Sequence, residues 1–423
     1  MALYLEWANQ FRSYNRNVKL SITANIFTQI GLGVFMVIYN FYIRELGYSE
    51  QVNGHVISMT SLATALILIP AGLLSDKLGR KKVMLFGAIA SGIVLISRSV
   101  VEPQTLLILF AFATGLTTSF IQVSGIPWLA ENSKPEQRVH LFSLHFAIMT
   151  AANVVGNLLG GIFTDLLSLF IDPLTSIRVT LLMGSVIYLC GVIPILRFQE
   201  KPALLNQKNA VKTAAFKKVQ LNWGSLKIII LFAVAQLIIG VGAGLVIPYL
   251  NLYFADRFSA SNSIIGLIIS LGQAATAVAM VIGPYVVRRL GEVRAVVFLQ
   301  LLSLPFLLLT AYTEQLWIAA LGFLFRQALM NAGNPIQMSL MMSHVDDSMK
   351  GLANSVNQMV FSLGWAIMGP VSTGIVMKYG EYWGYAFVFS ITAGLYLIGS
   401  TYFFIVFRSI NRPERTAASV KTV

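Results

Sequence analysis

The chain has 423 residues, of which 56% are apolar and only 11% are charged, and its mean hydropathy is +0.74. A soluble globular protein carries about 25% charged residues, so this composition excludes a water-soluble fold. The formal charge of +13 could suit a nucleic-acid partner, but the distribution of the basic residues argues against one. The single cysteine, Cys190, excludes an intramolecular disulfide and a cysteine-rich metal site.

Apolar segments long enough to cross a bilayer as helices recur along the whole chain. A hydrocarbon layer about 30 Å thick needs about 20 helical residues. Charges, Pro/Gly clusters and polar turns separate twelve such segments, predicted at about 20–43, 53–75, 83–101, 104–130, 139–165, 178–197, 228–255, 262–287, 295–313, 316–342, 351–377 and 383–407. Because a helix satisfies its own backbone groups in lipid, the predicted fold is an all-α integral membrane protein.

The basic residues are concentrated on one side of the predicted spans. If the N-terminus is cytoplasmic, 24 of the 30 Lys and Arg residues fall on cytoplasmic segments. Five fall on outer loops or outer helix ends, namely Arg44, Arg98, Arg178, Arg257 and Lys378. This is the positive-inside pattern. We therefore expect a multi-pass protein of the cytoplasmic membrane with both termini in the cytoplasm and no nucleic-acid partner.

The longest polar stretch, 198–227, divides the predicted spans into two sets of six. It is predicted to be a cytoplasmic linker between an N-terminal six-helix bundle, 1–197, and a C-terminal six-helix bundle with a cytoplasmic tail, 228–423. An offset of 211 residues aligns polar and glycine positions of the two halves, including Asn25 with Gln236, Asn40 with Asn251, Gly31 with Gly242 and Gly72 with Gly283. Agreement under one offset indicates a duplicated unit, and such repeats flank a central site in transporters.

The connection between the second and third spans reads GLLSDKLGRKK over residues 72–82. In this motif Gly72 permits close helix contact, Gly79 permits a tight turn, and Asp76 can pair with a nearby base. The spacing G-x3-D-x2-G-R-[KR]-[KR] resembles the loop motif of the major facilitator superfamily, and the resemblance extends over the whole chain. It implies the major facilitator fold of two six-helix bundles. It also implies a conformational lock formed by Gly72, Asp76, Gly79, Arg80 and Glu131.

A second motif lies in the fifth span. Its residues Gly156, Gly160 and Gly161 resemble the antiporter motif G-x3-G-P-x2-G-G of the drug-efflux branch of the same superfamily. The sequence departs from this motif at Ala152 and Asn157, where the family has glycine and proline. Small residues four apart also let helices pack closely, so packing is the alternative interpretation. The resemblance implies a twelve-span, drug/proton antiporter-like transporter that exports a small or amphipathic molecule.

Polar side chains line one face of the first and seventh spans. In lipid, such a face should meet protein or a water-filled cavity. We predict a substrate pathway lined by Asn25, Gln29, Asn40, Gln236, Asn251 and Gln273, with Gln122 as a further candidate. Hydrogen bonding between helices is the alternative role for these amides. Glycines and Pro248 should let the first and seventh spans bend.

Arg326 is the one formal charge predicted to lie well inside a span. An intramembrane arginine is costly, so a functional role is the default expectation. Three roles are open for its side chain. It could bind amides and carbonyls such as those of Gln327 and Asn331, it could bind an anionic substrate, or it could extend to the outer surface of the membrane. Arg326 and Asn331 are therefore added to the predicted substrate pathway. Uptake or facilitated diffusion of a small organic anion recognised by Arg326 is the alternative to efflux.

No carboxylate is predicted inside a span to carry a coupling proton, so Asp165, His145 and Asp76 are the candidates if protons drive transport. The spans contain no HExxH motif, no paired aspartates and no histidine cluster, so neither an enzyme nor a metal or cofactor is expected. The expected protein is a monomeric transporter of a small-molecule or lipid-like substrate, in contact with membrane lipid. A receptor on the same fold is the remaining alternative.

Overall fold

The computed structural model describes residues 14–134, 137–199, 222–346 and 349–408, and within these ranges the chain is helical without strands. Ten of the described helical segments are long and apolar enough to cross a membrane. One of these, Lys350–Phe407, has 58 residues and contains two crossings. A further crossing consists of two shorter consecutive helices. The predicted all-α fold with twelve spans is therefore confirmed.

The first six crossings are α1 (Arg16–Glu45), α2 (Glu50–Leu78), α3 (Arg80–Val100), α4 (Gln104–Glu131), α5 (Arg138–Leu167) and α6 (Pro173–Cys190, continued by Val192–Leu196). The next four are α7 (Trp223–Val246, the 3₁₀ turn Ile247–Tyr249 and Leu250–Phe258), α8 (Asn262–Leu290), α9 (Glu292–Tyr312) and α10 (Leu316–Ala332 and Asn334–His344). The last two are α11 (350–379) and α12 (381–407), which are separated at Gly380, where φ is 79°. Glycine adopts such a positive φ without strain, so this residue allows the helix direction to change.

Short connections make successive helices of each bundle antiparallel, and the contact of Arg44 at the end of α1 with Asp256 at the end of α7 shows that both bundles run in the same direction. Helix α1 therefore begins and α12 ends at the same face of the molecule. We call this face the termini face and the other the opposite face. The predicted linker, 198–227, lies mostly outside the described residues. On the termini face, Gly79 ends α2 with φ 99° and Gly291 ends α8 with φ 78°. The same turn therefore follows the second helix of each bundle.

The two bundles meet closely along two seams, α2 against α11 and α5 against α8. On the first seam, a Cβ added to Gly54 would lie 2.8 Å from the carbonyl oxygen of Gly369. On the second seam, a Cβ on Gly266 would lie 2.6 Å from the carbonyl oxygen of Asn157, and one on Gly161 would clash with the carbonyl of Asn262. Glycine at these positions lets the helix backbones touch, as is typical of helix packing in lipid.

The seventh helix is interrupted within the membrane, whereas the first is continuous. Pro248 lies in the 3₁₀ turn Ile247–Tyr249, which separates the two α-helical parts of α7. Proline has no N–H to donate to the preceding turn, which explains the break. Helix α1 runs without a break from Arg16 to Glu45. The predicted flexibility of the seventh span thus coincides with a break in α7, and no such break occurs in α1.

Candidate functional site

A cavity of about 320 Å³ lies between the two bundles. It has residues of both bundles in its wall, namely Phe35, Met36, Tyr39, Asn40, Val56, Ile57, Thr60, Ser61 and Arg98 from the first and Ile247, Pro248, Leu250, Asn251, Ile269 and Trp365 from the second. The wall is mostly apolar with a few polar groups, and the volume is at the lower end of the range of ligand sites. The cavity is therefore suited to a small molecule with an apolar body.

Asn40 on α1 and Asn251 on α7 join the bundles beside this cavity. The Nδ2 of Asn40 donates to Oδ1 of Asn251 at 2.9 Å and to the carbonyl of Pro248 at 2.8 Å. In return, Nδ2 of Asn251 donates to the carbonyl of Val37 at 2.8 Å. Asn251 is 2% exposed and Asn40 is 7% exposed. These two residues are aligned by the sequence repeat, so equivalent side chains of the two halves meet each other.

A charged network joins the bundles at the opposite face. Arg44 at the end of α1 contacts Glu50 of α2 at 2.7 Å and Asp256 of α7 at 2.7 Å. The second carboxylate oxygen of Asp256 accepts a hydrogen bond from the hydroxyl of Tyr385 on α12 at 2.8 Å. Asn53 connects this network to the cavity wall, because its Nδ2 donates to Glu50 at 2.9 Å and to the carbonyl of Asn40 at 3.3 Å. One cation thus holds a carboxylate from each bundle.

Asp165 makes a second link between the bundles, at the start of α8. One carboxylate oxygen accepts from the side-chain amide of Asn262 at 2.8 Å and from its backbone N–H at 3.2 Å. The other oxygen accepts from the backbone N–H of Ser263 at 2.7 Å. A carboxylate at a helix N-terminus satisfies free N–H groups and the positive end of the helix dipole. Asp165 of the first bundle therefore stabilises a helix end of the second.

The glycines of the antiporter-like motif lie where α5 packs on α1 and on α8. A Cβ on Gly156 would lie 3.0 Å from the Cα of Gly33, and one on Gly160 would lie 3.2 Å from the Cα of Val34. Gly161 faces the other way, and a Cβ there would lie 3.0 Å from the Cα of Ser263 on α8. Close packing, which was the alternative interpretation of this motif, is therefore present at all three glycines.

Arg98 is a buried cation in the cavity wall. It lies in the last turn of α3, at the helix end where the sequence predicts it, but only 7% of the residue is exposed. Its guanidinium lies 3.9 Å from the ring centre of Tyr39, and its Nη1 donates to the hydroxyl of Thr114 at 3.1 Å. Helical side chains lean toward the N-terminus of their helix, so Arg98 extends from the last turn of α3 back into the membrane.

Arg326 lies inside the second bundle. It is 2% exposed, its Nη1 donates to Oε1 of Gln327 at 2.8 Å, and its Nη2 donates to the hydroxyl of Tyr396 on α12. Asn331 donates to the carbonyl of Gln327 at 2.9 Å. Among the described residues no carboxylate pairs with Arg326. Snorkelling to the surface is therefore excluded, and the contacts of Arg326 join α10 to α12.

The other predicted pathway amides lie apart from this cavity. Asn25 is buried and contacts His145 of α5, with 3.4 Å between Nδ2 and Nδ1. Gln122 donates to Gln358 of α11 at 2.9 Å, across the two bundles. Three further amides, Gln29, Gln236 and Gln273, are half-buried and do not line the cavity. The structure thus brings together Asn40 and Asn251 but not the whole predicted set.

The loop motif at residues 72–82 forms an ion-pair cluster with α4 on the termini face. Arg80 contacts Asp76 at 2.7 Å and Glu131 of α4 at 2.6 Å. Gly79 forms the predicted tight turn. The predicted close helix contact at Gly72 is wrong for this structure, because a Cβ there would have no atom within 4 Å. All three charged residues belong to the first bundle, and Asp76 retains 62% side-chain exposure.

Two membrane bundles with a cavity between them, joined by polar contacts at one face, form an arrangement typical of a membrane transport protein. Within the described residues no group of three or more His, Cys, Asp or Glu side chains could hold a metal ion. The family model of the Major Facilitator Superfamily matches residues 22–239 and 232–422. The chain therefore belongs to the major facilitator superfamily, and it is a transporter of small molecules embedded in a membrane and not an enzyme.

Similar proteins place the chain near drug-efflux members of this family. It is 24% identical over 409 residues to the multidrug resistance protein MdtG of Proteus mirabilis (strain HI4320). The aligned region covers 95% of this chain and 98% of that relative. The chain is 21% identical over 360 residues to the quinolone resistance protein NorA of Staphylococcus aureus (strain COL), which covers 82% and 86%. The predicted family and the resemblance to its drug/proton antiporter-like branch are confirmed.

Solved structures share the fold at low sequence identity. A bacterial homolog of the human lysosomal transporter Spinster, inward-facing and occupied, has a TM-score of 0.75 at 13% identity and covers 94% of this chain and 98% of that one. The nucleoside transporter NupG has a TM-score of 0.73 at 17% identity and covers 93% and 99%. These similarities establish the major facilitator fold.

Proposed function

We propose that the protein exports small amphipathic molecules across the cytoplasmic membrane by alternating access, with both termini in the cytoplasm. The observation that carries this proposal is the cavity between the bundles, which is bordered toward the opposite face by the contact of Asn40 with Asn251. The lining residues Ile57 and Thr60 lie further along α2 toward the termini face than Asn53 does. A passenger held there would be shielded from the opposite face until the bundles move apart.

The outward direction is supported by charge and by similarity. The excess of Lys and Arg on the termini side supports a cytoplasmic position for that side, and the closed face would then be external. The similarity to MdtG and NorA, whose names describe drug resistance, supports export. The close packing of Gly161 against α8 of the second bundle supports a role for the antiporter-like motif in the moving contact between the bundles, whereas Gly156 packs on α1 within the first bundle.

The contacts on the two faces would alternate during a transport cycle. Opening of the external face requires that Arg44 release Asp256 and that Asp165 release the start of α8. The exposed carboxylate of Asp76 and its partner Arg80, with Glu131, would form the contact that closes the cytoplasmic face when the bundles rock. The turn at Gly79 would position Arg80 for this contact, and Gly72, which has open space beside it, would pack against a neighbour only in that other state.

A coupling proton is best assigned to Asp165 among the three candidates. Its carboxylate contacts the other bundle, so protonation would weaken a contact between the bundles. By contrast, His145 contacts Asn25 and Asp76 contacts Arg80, and both partners belong to the first bundle. The hydrogen bonds of Arg326 to Gln327 and Tyr396 support a structural role, and we do not assign it to the substrate.

Everted membrane vesicles from cells that express the chain would test the proposal. Export in exchange for protons predicts that respiring everted vesicles, whose interior becomes acidic, accumulate a fluorescent amphipathic dye, and that respiring right-side-out vesicles, whose interior becomes alkaline, do not. The double variant Asn40→Leu, Asn251→Leu removes the hydrogen bonds between α1 and α7 and should abolish most of this accumulation. Equal accumulation by vesicles without the protein, or accumulation by right-side-out vesicles alone, would overturn export.

A further inference from the structure

The wall of the cavity holds more hydrogen-bond donors than the protein uses. A guanidinium has five N–H donors, and Arg98 places one of them on Thr114 while its buried Nε has no partner among the described residues. The buried hydroxyl of Tyr39 and the indole Nε1 of Trp365 are also unpartnered within the described chain. Unpaired buried donors are costly, so a built site with several of them indicates a missing acceptor.

The charge in this wall is also uncompensated. Among the described residues that line the cavity, none carries a carboxylate, and Arg98 forms no ion pair in the described part of the chain. The face of Tyr39 and the hydroxyl of Thr114 replace only part of the hydration of the guanidinium. A desolvated arginine without a counter-ion is expensive in a membrane, and an anion in the adjacent cavity would supply that counter-ion.

Most of the remaining wall is apolar and partly aromatic, and its other polar residues are Asn40, Thr60, Ser61 and Asn251. Phe35, Met36, Ile57 and Ile269 surround the space that Arg98 borders, and Trp365 closes it from the second bundle. We infer that the cavity binds an amphipathic organic anion, with the acidic group of the ligand on Arg98 and its apolar body between α1, α2 and α11. This inference rests on the proposed export function and names the substrate class of the same cavity. It makes Arg98 a specificity-determining residue.

Three probes of one shape test the inference on the purified full-length chain in detergent. At pH 7.5, 2-naphthoate is an anion, 2-naphthamide is neutral and 2-naphthylmethylammonium is a cation. A charge-assisted contact to arginine predicts that naphthoate binds at least about 10-fold more tightly than either of the others, measured by titration calorimetry. Equal affinity for all three probes overturns the inference without any variant.

Variants of three arginines then test whether Arg98 is the residue that binds the carboxylate of naphthoate. Arg98→Gln should weaken naphthoate binding by about 10-fold or more and change naphthamide binding by less than about 2-fold, and Arg98→Lys should retain most of the anion preference. Arg257→Gln is the control, because Arg257 also lies 3.9 Å from a tyrosine ring centre, that of Tyr382, and does not line the cavity. An equal loss in Arg98→Gln and Arg257→Gln overturns the inference, as does a loss in Arg326→Gln with none in Arg98→Gln.

The two proposals fail separately. If the wild-type chain binds the three probes equally but everted vesicles still accumulate dye, the export proposal is supported and the anion-site proposal is rejected. If naphthoate binding depends on Arg98 but vesicles of either orientation accumulate neither dye nor naphthoate, the anion site stands and export falls. Should Arg98→Gln not fold, the wild-type preference among the probes and the affinity of Arg98→Lys still decide the question.

Discussion

The two faces of the molecule use charged side chains in different ways. At the opposite face, Arg44 and Asp256 form an ion pair between the bundles, and Asp165 of α5 holds the start of α8. On the termini face, the cluster of Asp76, Arg80 and Glu131 stays within the first bundle. The chemistry of the two faces is similar, but only the first arrangement resists separation of the bundles at that face.

This difference shows how a symmetric duplication can give a structure with one preferred closed face. Charge pairs exposed to water contribute little to stability, so their number matters less than which bodies they connect. An ion pair inside one bundle is made in every position of that bundle, whereas one between bundles is made in some positions and lost in others. The following experiments test this comparison.

The largest effect is expected from the glycines at the two ends of α2. A Cβ on Gly54 would lie 2.6 Å from Oγ1 of Thr373 on α11, so Gly54→Ala should destabilise the closed opposite face by about 1–3 kcal/mol. Gly72→Ala is the control near the termini face, because a Cβ there meets no atom within 4 Å. It should be neutral or stabilise the helix by up to about 1 kcal/mol. Unfolding in mixed detergent micelles measures both, and equal losses would contradict the comparison.

A smaller shift is expected when the ion pair between the bundles loses its charge. Asp256→Asn keeps the size of the side chain but removes the charge-assisted contacts to Arg44 and Tyr385. Because the pair is partly exposed, we expect the equilibrium to move toward an open opposite face by about 5- to 10-fold. Spin labels at Glu45→Cys and Ala260→Cys, in a Cys190→Ser background, would report longer distances by double electron–electron resonance. An unchanged distance distribution would rule out a closing role for Asp256.

The amide pair between α1 and α7 should show direct coupling. The single variants Asn40→Ala and Asn251→Ala each remove their shared hydrogen bond, so a double-mutant cycle should give an interaction energy of about 1 kcal/mol. The cycle is measured by unfolding in mixed micelles. Gln122→Ala with Gln358→Ala is the companion cycle for a more exposed amide contact between the bundles, and it should give less. A coupling near zero for the first pair would mean that Asn40 and Asn251 act independently.

The smallest effect is expected for an ion pair that lies at the opposite face but within one bundle. Arg178 of α6 contacts Glu102 at 2.6 Å, and Glu102 is largely exposed. Glu102→Gln should change the free energy of unfolding by less than about 1 kcal/mol and leave the spin-label distances unchanged. This variant is the matched control for Asp256→Asn. If both variants open the opposite face equally, loss of charge alone would explain the shift.

Much of the fold can be predicted from the apolar segments that recur along the sequence and from the residues that separate them. Twelve apolar segments, the break at Pro248 and the turn at Gly79 depend on local composition, which is visible without coordinates. The internal repeat carries more information, because it aligns Asn40 with Asn251 and these two side chains are in contact in the structure. Equivalent residues of two related halves can meet at the axis between them, so an internal alignment can predict a contact.

The side-chain contacts of the candidate site could be predicted less well from the sequence. Arg98 is two residues from the end of α3, and a count along the helix places it near the surface, whereas its side chain leans back and packs on Tyr39 of another helix. Arg326 was correctly placed inside the membrane, but its partner Tyr396 is 70 residues away. The contact of Arg44 with Asp256 likewise joins two helix ends that are remote in sequence. Such contacts depend on how whole helices assemble.

The break in α7 couples two contacts between the bundles, the hydrogen bond of Asn251 with Asn40 and the ion pair of Asp256 with Arg44. The nine-residue helix Leu250–Phe258 follows the 3₁₀ turn and carries both Asn251 and Asp256. Because Pro248 removes a backbone hydrogen bond there, this short helix can tilt as one rigid piece about the turn. The amide contact with α1 and the ion pair with Arg44 would then be made and broken in a single movement, so the opposite face would open and close in one step.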